Sequence, residues 1–146
     1  MQALMRSIFA RLDATNYILG GGSTGLSVTN AFRASMGGRI RAVVAPSNST
    51  LPLATFDLEP PSTEHFFGGK RKQTAEFSVS IFDKAEVGAD VMLGYESSLF
   101  LLFDNTELVV SGHDRGFSRS LTRGVPELDG EYLRVDSVFE IVAYSS

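Results

Sequence analysis

Hydrophobic and polar positions change period several times along this 146-residue chain, and each change marks an element. Residues 3–14 place Leu4, Ile8 and Leu12, with Met5 and Phe9 beside them, at helical spacing, while Arg6, Arg11 and Asp13 fall opposite. That spacing predicts an amphipathic helix, with room to run on to Leu19. Gly20, Gly21 and Gly22 then make further helix costly. Residues 20–38 are rich in glycine, serine and threonine; a short helix over Val28–Met36 fits there, closed by Gly37-Gly38.

From Arg39 the period drops to two. RIRAVVA alternates through Ile40, Ala42 and Val44 and ends at Pro46. LPLATFDLE (51–59) is strand-like, but its phase slips between Leu53 and Phe56, as a bulge or a strand buried on both sides produces. Ala75, Phe77, Val79 and Ile81 then alternate cleanly with Glu76, Ser78 and Ser80. Helical spacing returns after Asp83, which with Glu86 resembles a capping pair. Val87, Val91, Tyr95, Leu99 and Leu102, flanked by Met92 and Phe103, make a stripe that stops at Asp104-Asn105. Residues 107–111, 116–123 and 131–144 read as three more strands, with Leu133, Val135, Ser137, Phe139 and Ile141 on one face of the last. The turn chemistry of PELDG (126–130) joins the final two as a hairpin.

The order is helix, loop, three strands, helix, three strands. It predicts an α+β fold: an antiparallel-rich, mixed sheet of about five to six strands with two α-helices packed on one face. One domain is expected over residues 1–146, with a flexible glycine-rich loop at 20–38 and a long hairpin at 51–83. A chain of this length buries roughly 70% of its unfolded surface in a single core.

Composition narrows the function. A net charge of −4 argues against binding DNA over the whole surface, yet leaves room for a local basic patch. With no cysteine, neither a disulfide scaffold nor a thiolate metal site is available. The start, MQALMRSIFARLDA, carries arginines inside it and does not read as a secretory signal. No apolar run approaches the roughly 18 residues a membrane-spanning helix needs, so no membrane contact is expected and the simplest compartment is the cytoplasm.

Few residues point to catalysis. GGGSTG (20–25) matches both GxGxxG and GxSxG. A dinucleotide loop needs a strand before it and a helix after it, and a nucleophile elbow needs a strand-to-helix turn in a larger sheet. Here a helix precedes the glycines. His113-Asp114 offers an imidazole beside a carboxylate, but no second His-carboxylate cluster stands near it. No acid/base pair, cofactor site or metal site is expected, and no enzymatic activity.

Two basic groups stand out instead. HFFGGKRK (65–72) sits between strands and puts Phe66, Phe67, Lys70, Arg71 and Lys72 on a hairpin tip. Phe66 and Phe67 point to opposite sides of an extended strand, which leaves two readings: cover by a partner subunit, or packing within the monomer. Arg115, Arg119 and Arg123 form the second group. On a regular strand Arg119 and Arg123 share a face with Phe117 and Leu121, as a charged subunit contact or as a solvated edge protected from aggregation.

The element order, the AxPxxxxLP run (Ala45, Pro46, Leu51, Pro52), the strand AEFSVSIFDK leading into a helix and the closing EYLRVDSVFEIVAYS resemble the tail terminator, or tail completion, proteins of long-tailed bacteriophages and gene transfer particles. The resemblance spans roughly residues 3–144. It implies a structural virion protein without catalytic residues, forming a hexameric ring that caps the tail tube and stops its polymerisation. It further implies a docking face for the head-tail connector, passage of genomic DNA through the lumen without sequence-specific binding, and a place in the virion neck after assembly in the host cytoplasm. A head-closure protein or a tail tube subunit is the alternative of the same class. A ligand-binding or enzymatic domain using GGGSTG is the alternative of another.

Overall fold

A computed structural model describes residues 2–42 and 50–145. The expected strand end at Val44 and the Ala45-Pro46 pair lie outside them. The elements in order are α1 (Gln2–Asp13), β1 (Asn16–Ile18), β2 (Ser27–Thr29), α2 (Ala31–Met36), β3 (Ile40–Ala42), β4 (Leu53–Leu58), β5 (Ser62–His65), β6 (Arg71–Lys84), α3 (Ala89–Phe103), β7 (Thr106–Leu108), β8 (Arg115–Thr122), β9 (Glu127–Asp129) and β10 (Tyr132–Ser145).

The α+β fold is the expected one, with more elements than predicted. Eight strands form one sheet in the order β3-β4-β6-β10-β8-β7, with β5 continuing beside β6 and β9 beside β10. All pairings are antiparallel except β3 with β4. The centre is a ladder of two fourteen-residue strands, β6 and β10, running from Arg71↔Ser145 at one end to Lys84↔Tyr132 at the other. At roughly 3.3 Å per residue that ladder is about 45 Å long.

Odd-numbered residues of β6 and β10 face the helices. Phe77 and Phe139 stack at 5.3 Å between ring centroids, and Phe103 of α3 meets Phe77 edge-on at 5.1 Å. All three rings are buried, with Leu4, Ile8 and Leu12 of α1, Phe32 and Met36 of α2, and Met92, Leu99 and Leu102 of α3 around them. The phase slip in β4 is explained by burial on both faces rather than a bulge: Leu53 to Phe56 are all buried and the register with β6 is unbroken.

Three boundaries differ from the sequence reading. Helix α1 ends at Asp13 rather than reaching Leu19, because Asn30 stops it. The Asn30 amide donates to the carbonyls of Leu12 (3.0 Å) and Ala14 (2.9 Å), while its Oδ1 accepts the Arg33 N–H (3.0 Å) and caps α2. One buried side chain thus ends one helix and starts the next. The helix predicted over Val28–Met36 is accordingly split into strand β2 and helix α2.

Asp83 does not cap α3. It is buried at the end of β6, where it accepts hydrogen bonds from the Tyr95 hydroxyl (2.9 Å) and the Lys84 N–H (2.8 Å). Gly88, at φ 85°, precedes the helix instead. The buried stripe of α3 is rotated toward Met92, Glu96, Leu99 and Phe103, leaving Val91 exposed. A charged residue on the core side is what hid this from the hydrophobic pattern.

Candidate functional site

The sheet face away from the helices is built from even-numbered residues of β6 and β10 and odd-numbered residues of β8. Near the Arg71↔Ser145 end it forms two adjoining grooves, of about 350 and 520 Å³, that share Phe117 and Tyr144. Lys72 and Arg119 line one; Phe66, Lys70, Arg71 and Arg115 line the other. Six of the eight residues singled out from the sequence therefore meet on one surface, although β8 lies far from the β5–β6 tip in the chain.

The tip is shaped by its glycines. Gly68 and Gly69 both hold φ 77°, a region open to glycine at little cost, and the Phe66 N–H donates to the Lys70 carbonyl (2.8 Å) to close the turn. This geometry turns Phe67 fully outward (102% exposed) and leaves Phe66 half exposed at 49%. Packing inside the monomer does not account for Phe67. Lys70, Arg71 and Lys72 have no ion pair among the described residues.

Arg119 donates to Glu140 (3.0 Å), which stands opposite Glu76 across the β10–β6 ladder. A cation here offsets two like charges placed side by side. Arg115 lies 5.1 Å from the centre of the Phe117 ring, within cation–π range.

Arg123 sits elsewhere. A register shift between Val138 and Phe139 inserts a bulge in the β8–β10 pairing, and this moves Arg123 to the face opposite Arg119. There it makes a two-pronged pair with Glu96 of α3, at 2.8 Å and 2.7 Å, and lies 4.0 Å over the Phe100 ring. Hydrogen bonding to Glu96 holds the guanidinium above its ordinary pKa. The regular-strand expectation that Arg119 and Arg123 share a face is overturned by that one bulge.

The sequence reading treated 126–130 only as a turn. In the fold it is the tip of the β9–β10 hairpin, at the far end of the central ladder, with Gly130 at φ 64°. Val125 (63%) and Leu128 (73%) are exposed there beside Glu127 and Glu131, neither of which has an ion pair among the described residues. The legible signal was a pair of apolar residues inside an acidic run.

The glycine loop is a docked turn. It closes the two-stranded hairpin β1–β2, and Gly21 bridges to Glu107 on β7, where the Glu107 N–H donates to the Gly20 carbonyl (2.9 Å). A Cβ on Gly21 would lie 2.0 Å from the Glu107 carbonyl oxygen, so only glycine fits. His113 is held between Ser111 and Gln73, with Nδ1 3.1 Å from the Ser111 carbonyl oxygen and Nε2 2.9 Å from Gln73 Oε1. Among the described residues, no group of three or more His, Asp or Glu gathers as a metal site would.

No family model matches this sequence, and no curated protein matches it. Solved structures do share its fold. A chain from the virion of a native gene transfer agent particle superposes with a TM-score of 0.69 at 16% identity, covering 99% of this chain and 96% of that one. A second solved structure superposes at 0.61 with 11% identity, covering 97% and 94%. The fold, over its whole length, is one that a gene transfer agent virion uses.

Proposed function

We propose that this chain is a structural virion protein of the tail terminator kind. It assembles as a hexameric ring on the end of a tail tube, stops tube growth, and presents its outer face to a head-tail connector, with DNA passing through the lumen. The observation that carries the reading is the whole-chain likeness to a gene transfer agent virion component, which leaves almost no residue of either chain uncovered. The basic, aromatic groove and the outward Phe67 agree with it, because an exposed aromatic on a glycine-shaped tip suits contact with another protein. Work of this kind needs complementary surfaces rather than a reaction centre.

The test is co-assembly with a tail tube protein from the same source, viewed by negative-stain microscopy. Short tubes ending in a ring of this protein are expected, with length falling as more of it is added. Long cylinders made by this chain alone would mark it as a tube subunit. A ring that binds the portal end but never touches tubes would mark a head-closure protein. A chain that stays monomeric even with tube protein present would overturn the structural reading.

A further inference from the structure

The two ends of the central ladder are chemically opposite. At the Arg71↔Ser145 end, Lys70, Arg71 and Lys72 lack ion pairs among the described residues and surround a groove floored by Tyr144 and Phe117. Arg115 and Arg119 add two more cations to its lining against two carboxylates, Asp114 and the Arg119-paired Glu140, so cations outnumber anions there. Ser145 borders the same groove and is buried. At the other end Glu127 and Glu131 lack ion pairs among the described residues, beside the exposed side chains of Val125 and Leu128. The ends are also offset sideways. β5 extends the sheet beside β6 on the β4 side, and β9 extends it beside β10 on the β8 side.

We propose that the acidic β9–β10 tip of one copy docks in the basic, aromatic groove beside the β5–β6 tip of the next copy. The inference rests on the reading of this chain as a self-assembling virion protein and names the contact by which it does so. Each surface supplies what the other lacks. Glu127 and Glu131 meet Lys70, Arg71 and Lys72, and Leu128 meets the aromatic groove. Because donor and acceptor patches lie on different parts of one molecule, the contact is heterologous, and repetition closes a ring when the rotation per copy permits it. Unpaired charges at both ends make the contact sensitive to salt, since the Debye length shrinks from about 10 Å at 0.1 M to about 3 Å at 1 M.

The chain has no cysteine, so a pair of introduced thiols reports the contact directly. In Phe67→Cys/Leu128→Cys the two thiols stand at opposite ends of a ladder about 45 Å long, far beyond the roughly 7 Å between Cα atoms that a disulfide tolerates. Any disulfide must then join two copies. Mild oxidation of the double variant at low salt is expected to give a ladder of linked dimers, trimers and higher species. Each single variant is expected to stop at dimers. Adding Glu127→Lys/Glu131→Lys should cut the linked fraction about fivefold, and mixing it with a Lys70→Glu/Arg71→Glu chain should restore it. Rings on tail tubes from a double-cysteine variant that gives no ladder would overturn this contact and leave the ring reading standing. No association in either assay would end both. Duplex DNA binding that is lost in Lys70→Glu/Arg71→Glu, without a ladder, would reassign the groove to nucleic acid.

Discussion

Among the described residues, Glu96 and Arg123 form the one ion pair with a buried carboxylate: the Glu96 side chain is 5% exposed and receives both Arg123 nitrogens within 2.8 Å. The pair ties the chain just past β8 to the core side of α3, and the Phe100 ring lies 4.0 Å from the guanidinium. Removing the cation strands a buried charge, which is more damaging than losing the pair as a unit. Because the Arg123 side chain is 50% exposed and water can partly replace it, Arg123→Ala is expected to cost about 1–2 kcal/mol, less than for a fully buried pair. Glu96→Leu/Arg123→Leu should recover most of that. Urea unfolding of the three proteins, with equal slopes, checks it.

Asn30 serves two helices at once, so its replacements should not follow the usual ranking of caps. Asp is normally a good N-cap. Here it would keep the acceptor for the Arg33 N–H but set a carboxylate against the carbonyls of Leu12 and Ala14. Both Asn30→Ala and Asn30→Asp should lose about 2 kcal/mol. An Asp variant as stable as the parent would show that the donors to α1 contribute nothing.

Burial, with help from the hydrogen bond to Asp83, pushes the Tyr95 hydroxyl up to about 12. The neutral phenol is thus favoured in the folded chain over the unfolded one, where tyrosine titrates near 10. The stability it contributes is complete below pH 10 and is lost as pH rises from about 10 to about 12. Phenolate absorbance followed through that range should show a late transition from Tyr95. Tyr95→Phe should remove that late transition and flatten the alkaline fall in melting temperature.

Gly21 approaches the β7 backbone so closely that a methyl group has no room. Gly21→Ala should cost about 2 kcal/mol through the clash and the positive φ, and should loosen the β1–β2 hairpin from β7. Gly20→Ala meets no atom within 4 Å and carries only the backbone strain. Hydrogen exchange at the Glu107 N–H, which donates into this loop, would report the difference. Equal exchange in the two variants would refute the docking argument.

Phe67 and Phe77 differ in everything but chemistry. Phe77 is buried against Phe103 and Phe139, whereas Phe67 is fully exposed. Phe77→Ala should lower monomer stability by about 4 kcal/mol. Phe67→Ala should leave it within about 0.5 kcal/mol while weakening assembly. A large loss of monomer stability from Phe67→Ala would place that ring inside the fold.

Local sequence determined the elements whose periodicity is unbroken. The alternation at Ala75–Ile81 and Leu133–Ile141 reports directly which side of β6 and β10 faces the core, because a pleated strand shows a new face at every residue. The FFGG run marked a hairpin tip but left the facing of its rings open, and positive φ at Gly68 and Gly69 in the fold is what turns Phe67 outward. Tertiary structure decided what depends on long-range pairing. The end of α1 waits for Asn30, sixteen residues or more from the carbonyls it binds. The facing of Arg123 waits for a bulge set by β10, and the core-side placing of Glu96 waits for Arg123. The groove itself unites the β5–β6 tip with β8 only because both pair with the same central ladder. No local window contains that partnership, so composition showed a basic tip and the fold alone supplied an acidic one at the other end.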